Sequence, residues 1–190
     1  MMLKIPFREL AFFGLLFFST SSSLSAQAIW INKSGKIDFR SDAPLEIIQA
    51  SSNVLKGALN TEDQTFAFSI QMATFQGFNS PLQRVHFNEN YMESARYPEA
   101  TFSGRIIEQI DLSQPGEYLI RAKGLLTIHG VPVERIIKCK VIIQGQGCRY
   151  SASFSVPLVD HAITIPKVVN QKIAEEIQVR VEGELVMKSK

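Results

Sequence analysis

Cysteine, histidine and tryptophan are scarce in this chain: two, three and one in 190 residues. Neither sign of charge forms a run, and the formal net charge is +2. Without a basic tract, nucleic acid is a poor candidate partner, and without an acidic run there is no calcium-binding surface to argue for. His86, His129 and His161 are far apart and carry no metal-ligand spacing, so no cofactor or metal is expected. No serine stands in a G-x-S-x-G elbow. Gly145-Gln146-Gly147 precedes a strand signal rather than a helix, so it reads as a turn and not a phosphate cradle. No nucleophile–base pair is visible, and an enzyme is not expected.

Long apolar runs are missing too. Leu10–Phe18 is far short of the ~20 residues that span a bilayer. It follows Lys4 and Arg8 and precedes small and polar residues at Ser19–Ala28, the pattern of a secretory signal peptide cleaved after Ala26 or Ala28. A retained membrane anchor is the alternative. No cysteine lies near the cleavage zone, which argues against a lipid-anchored lipoprotein. The expected organisation is a signal peptide over 1–26 and one domain over 27–190, long enough for a substantial core. A periplasmic or secreted location follows. No second apolar segment is long enough to cross a membrane.

What is present is alternation. Ile177, Val179, Val181, Leu185 and Met187 share one face of a strand, and Gln178, Arg180, Glu182 and Glu184 share the other. Tyr118, Ile120, Ala122, Gly124, Leu126 and Ile128 likewise oppose Arg121 and Lys123. Strands are expected near Gly35–Ser41, Asn53–Leu59, Thr65–Met72, Ala100–Ile110, Glu117–Ile128, Val133–Gln144, Cys148–Pro157 and Glu176–Met187. Eight strands with short connections and no long amphipathic helix predict an up-and-down antiparallel barrel.

One helical insert interrupts it, between the third and fourth of these strands. Asn79-Ser80-Pro81 is a capped helix start with proline in the first turn, and Tyr97-Pro98 forces extension again. One or two short helices are expected over Leu82–Ser94. Phe78, Leu82, Phe87, Tyr91 and Met92 are too many large apolar residues for a free loop. Some of them should cover the barrel end while Arg84, Glu89, Glu93 and Arg96 face water. Glu93 and Arg96 are spaced to pair.

Three stretches carry a family resemblance: HFNENYMES..YPEATFSG (His86–Ser94, Tyr97–Gly104), GLLTIHGV (Gly124–Val131) and FSVPLVDHAITIPK (Phe154–Lys167). Their order and spacing resemble the YceI-like family of secreted bacterial proteins, over roughly Gly35 to Met187. The resemblance implies an all-β fold, an eight-stranded antiparallel lipocalin-like barrel. For some members it also implies a polyisoprenoid chain held inside.

From the residues alone, the inward set of Phe39, Leu55, Phe66, Phe68, Ile70, Phe102, Ile106, Leu126, Ile137, Phe154, Val156 and Val179 fits a solid core as well as a cavity. The resemblance favours a cavity. The ligand-contacting residues expected on that basis are Phe39, Phe66, Phe68, Ile70, Phe87, Tyr91, Phe102, Gly124, Leu126 and Phe154. Gly124 enters because a glycine inside a strand marks a close approach, here read as a ligand's. The expected partner is an apolar lipid, an isoprenoid or quinone-like chain; the oligomeric state is open, a dimer included. The alternative function is a ligand-free scaffold or stress-related protein presenting residues 78–98 to a protein partner.

Cys139 and Cys148 flank the turn at Gly145-Gln146. With a two-residue turn, Cys139 faces Ala152 and Cys148 faces Ile143. The cysteines then stand roughly 13 Å apart at ~3.3 Å per residue, against the ~7 Å between Cα atoms that a disulfide tolerates.

Overall fold

The alternation of the last strand closes the molecule. In the computed structural model, which describes residues 29–188, strand β9 (Glu176–Met187) pairs antiparallel with β1 (Ile29–Asp42) on one side and β8 (Gly147–Pro157) on the other. The remaining strands are β2 (Ile47–Ser52), β3 (Lys56–Asn60), β4 (Thr65–Gln71), β5 (Glu99–Ile106), β6 (Gly116–Ile128) and β7 (Val131–Gln144). Each pairs antiparallel with its neighbour from β3 through β9. The signal-peptide segment lies outside the described residues.

Nine strands occupy eight barrel positions. Ile37 stands opposite Ser52 and Ile29 opposite Asn60, so β2 and β3 lie along the same edge of β1 in one continuous register. They are a single strand interrupted at 53–55. The expected strand over Asn53–Leu59 therefore starts earlier, at Ile47, and breaks where strand was expected to begin. At the break Leu55 turns into the core, and the Asn32 Nδ2 donates to its carbonyl at 2.6 Å. The first strand also begins earlier than expected, at Ile29, because Trp30 is buried against the core. The expected strand over Ala100–Ile110 ends at Ile106.

The turn at Gly145–Gln146 has two residues. Cys139 stands opposite Ala152, Ile143 opposite Cys148, and both cysteines are free. Two residues suffice because Gly145 takes φ 60°, the left-handed conformation such hairpins require.

One end of the barrel is sealed. Trp30, Leu59, Ile106, Leu112, Ile143 and Leu185 are all buried there. The other end carries the loop 43–46, the insert between β4 and β5, the turn at His129–Gly130 and the long connection from β8 to β9. In the insert, Ser80 Oγ accepts from the Gln83 N–H at 3.2 Å, and Pro81 opens helix α1 (Pro81–His86). A wider helical turn, Phe87–Tyr91, continues it. Phe78, Phe87, Tyr91 and Met92 pack on the core, but Leu82 does not. It lies on the outer side of α1, no residue of which is buried. Among the described residues no helix is long and apolar enough to cross a membrane.

Candidate functional site

The barrel interior is not filled. A cavity of about 440 Å³ runs from the sealed end to the insert end, within the ~300–1,000 Å³ of small-molecule sites. A row of small side chains explains it. Ala122 on β6, Cys139 on β7 and Ala152 on β8 all line the cavity, on three adjacent strands, with Cys139 directly opposite Ala152. By contrast, Phe66 on β4 and Phe102 on the neighbouring β5 bring their ring centroids to 5.0 Å and fill their part of the wall.

The upper wall is aromatic. Phe39 on β1 stacks on Phe87 of the insert at 5.4 Å and 16°. Phe75 and Phe78 meet both of these rings. Such tilted and offset pairs fix the insert on the barrel through specific geometry as well as area. Phe75 and Phe78 line the cavity but were not among the expected contact residues. Phe75 sits just past β4, where period-2 reasoning ends, so no strand pattern marked it.

Nine of the ten expected contact residues line this one cavity: Phe39, Phe66, Phe68, Ile70, Phe87, Tyr91, Phe102, Leu126 and Phe154. Gly124 is not among the lining residues. A Cβ on Gly124 would stand 2.2 Å from the Ser103 carbonyl oxygen and 3.0 Å from the Gly104 Cα. The close approach inferred from this glycine is that of strand β5, not of a ligand.

Polar groups sit at the two extremes. Deep inside, Tyr150 Oη donates to Asn32 Oδ1 at 2.8 Å, and burial pushes the phenol's pKa up, so it remains a donor already in use. At the insert end, Glu46, Gln83, His86 and Lys172 line the opening. His86 and Lys172 are exposed there, so the cavity reaches the surface at this end. Gln83 Nε2 donates to Glu46 Oε1 at 2.5 Å. Between these ends the wall is nearly all hydrocarbon.

The three sequence stretches that carried the resemblance meet beside the opening. His129 Nε2 lies 3.0 Å from Glu93 Oε1, and His129 Nδ1 lies 3.3 Å from the His161 carbonyl. The Tyr97 ring packs edge-on against His129 with centroids 4.6 Å apart. His161 is fully buried with Nδ1 3.0 Å from the Val131 carbonyl, and desolvation holds its pKa below the usual value. Glu93, expected to face water, is engaged by His129 as well as by Arg96 at 3.7 Å. Nothing in the spacing of Glu93 and His129 announced this contact, since only the fold brings the insert to the β6–β7 turn. These histidines join loops. Among the described residues no group of three or more His, Cys, Asp or Glu is placed to hold a metal.

Burial raises the thiol pKa of Cys139 to about 11 and that of Cys148 to about 12, from an ordinary 9.0. Both thiols are neutral in the folded barrel and ionise more readily in the unfolded chain. The stability this contributes is whole below pH 9.0 and is lost as pH rises towards 11. A Cys139→Ala/Cys148→Ala variant should therefore lose less Tm over that window than the wild type. Equal losses in a thermal-unfolding series would overturn the assignment.

A family model described as the YceI-like domain matches residues 31–185. No curated protein matches the sequence. Among solved structures, a polyisoprenoid binding domain from Saccharophagus degradans implicated in plant cell wall breakdown superposes with a TM-score of 0.73. It is 14% identical, with 85% of this chain and 99% of that one covered. BcnA of Burkholderia cenocepacia gives 0.64 at 14% identity, covering 79% and 95%. The YCEI protein of Campylobacter jejuni gives 0.55 at 12% identity, covering 100% and 92%. At these identities the likeness is one of fold.

Proposed function

Because the chain belongs to the YceI-like domain family, we propose that it is a carrier that sequesters a long apolar lipid, of the isoprenoid or quinone-like kind, inside its barrel. The observation that carries this reading is the cavity itself: apolar along its length, sealed at one end and open beside the insert. The similarity to a polyisoprenoid binding domain supports the choice of ligand class. A scaffold that only presents residues 78–98 has no use for an empty interior. Secretion, read from the first 26 residues, places the carrier in the cell envelope or outside the cell.

Binding works by transfer of hydrocarbon out of water, at about 0.8 kcal/mol per CH₂. Ten buried methylenes contribute roughly 8 kcal/mol before the costs of ordering the chain are subtracted. The contact is non-directional, so it suits a ligand with few polar atoms and discriminates weakly between similar chains. At the closed end the Tyr150 hydroxyl, which lines the cavity, donates to Asn32 Oδ1, and the Asn32 amide donates to the Leu55 carbonyl, so both are already engaged within the protein. The head group therefore lies at the open end, near Gln83, His86 and Lys172.

Native mass spectrometry of the protein purified from its own envelope, followed by lipid extraction, tests this. One isoprenoid-type lipid per protein is the expected result. Protein that is always empty, and stays empty when offered such lipids in detergent, would overturn it.

A further inference from the structure

Several large apolar side chains left in water gather around the cavity mouth, while others, Leu119, Leu125 and Ile136 among them, lie on strands of the barrel wall. Leu45 is 66% exposed, Leu82 62% and Val168 89%, with Ile47 and Val85 also exposed. All five stand on three segments at the insert end: the start of β2 with its loop, helix α1, and the short helical turn Lys167–Val169. Direct bonds hold these segments together. The Leu45 N–H donates to the Gln171 carbonyl at 2.9 Å, and Asn79 Nδ2 donates to the Ile47 carbonyl at 2.9 Å. Gln83 of α1 holds Glu46 of the loop. They border the same opening that Lys172 and His86 line.

Helix α1 makes the point most sharply. Its sequence is Pro81-Leu-Gln-Arg-Val-His86, and Leu82 and Val85, three apart, share an outward face. A cap needed only to plug the barrel would turn such a face inward, as Phe87 and Met92 do.

Cations flank two of the three segments. Arg84 adjoins Val85 and Lys167 adjoins Val168, with Lys172 close by in sequence. From Ile163 to Ile173 there is no carboxylate. The carboxylates of the β1–β2 loop are engaged within the protein: Glu46 by Gln83 and Asn79, and Asp42 by Arg40 at 3.1 Å. Apolar tips flanked by unopposed cations are what an interface of acyl chains and anionic head groups accommodates.

We propose that this rim docks on a bilayer surface containing anionic phospholipid and presents the cavity mouth to the membrane. The inference rests on the carrier reading and deepens it. A polyisoprenoid has negligible solubility in water, and a carrier whose mouth rests among acyl chains spares it the aqueous crossing. Leu45, Leu82, Val85 and Val168 enter the interface, while Arg84, Lys167 and Lys172 remain at the level of the phosphates.

Sedimentation with vesicles of phosphatidylcholine, alone or with phosphatidylglycerol, tests the docking. Wild type should bind the mixed vesicles and bind pure phosphatidylcholine more weakly. Leu82→Asn/Val168→Asn should lower mixed-vesicle affinity roughly tenfold or more and slow uptake of geranylgeraniol from vesicles in step. The same variant should load geranylgeraniol from detergent as wild type does. The control is Leu119→Asn/Leu125→Asn, which removes exposed apolar side chains from the outer wall of β6 and should change neither reading.

Wild type that ignores both vesicles overturns the proposal. So does a rim variant that binds as wild type does, or a wall variant that loses as much. A wild-type dimer that the rim variant dissolves, with no vesicle binding, assigns the rim to a second copy of the chain instead. Wild type that sediments but loads nothing from detergent overturns the carrier function and keeps the docking surface.

Discussion

Gly124→Ala is expected to destabilise the barrel by about 3 kcal/mol or more, with Tm and the urea midpoint falling together. Gly124 on β6 stands directly opposite Gly104 on β5. A Cβ on Gly104 would stand 2.0 Å from the Lys123 carbonyl oxygen, and one on Gly124 would stand 2.2 Å from that of Ser103. Both obstacles are backbone, so no rotamer change relieves them. The pair of missing side chains lets the two backbones approach at this point, the kind of close contact that closure of a sheet into a barrel uses glycine for. Gly145→Ala is the comparison. Nothing lies within 4 Å of a Cβ there, and only its φ of 60° is unfavourable, at about 1 kcal/mol. Gly124→Ala within 1 kcal/mol of wild type would show that the strands separate freely at this point.

Filling the cavity should abolish binding without unfolding the protein. Ala122→Phe/Ala152→Phe places two rings in the space that the small side chains leave open. Overpacking a filled core costs ~1–3 kcal/mol, and here the rings enter a void, so the loss should lie at the low end. On the binding side, displacing about four methylenes of ligand removes about 3 kcal/mol, roughly a hundredfold in Kd. Urea unfolding and a detergent-delivered lipid titration on the same variant separate the two effects. Native-like stability with wild-type loading would show that the lipid is held somewhere other than the barrel.

How legible was the site? The nine lining residues were readable because each sits in a strand whose alternation assigns its face, or, for Phe87 and Tyr91, in an insert too apolar to be free. Gly124 was read from the same alternation and its face was right, but the neighbour was not. A glycine in a strand reports that something comes close without saying what, and here the occupant is a partner strand twenty residues away in sequence. Phe75 escaped because it follows the end of β4, where no period applies, and Phe78 was read as part of the cap without being named as a cavity contact. Leu82 was expected to share in the cap. The insert shows one apolar set, Leu82 and Val85 on α1, turned outward, and a second, Phe87 and Met92 beyond it, turned in. A segment of this length carries no sign of which set the barrel covers.

Sequence by itself determined the class of architecture. A period of two repeated through eight segments, short turns between them and one capped helical insert leave little besides an antiparallel barrel, because inward apolar and outward charged faces need closure to be satisfied in water. It also gave the pairing of Cys139 with Ala152 and of Cys148 with Ile143 on the condition of a two-residue turn, and the structure supplied that turn length. Only the tertiary structure decided that the interior is open. Ala122, Cys139 and Ala152 are unremarkable on their own strands and become a void only when three adjacent strands bring them onto one wall, Cys139 opposite Ala152 and Ala122 opposite Ile137, two residues from Cys139. The same holds for the join between Glu93, His129 and His161, and for the apolar rim. Their members are dispersed along the chain, and a local pattern carries no information about which distant loops will share one end of a barrel.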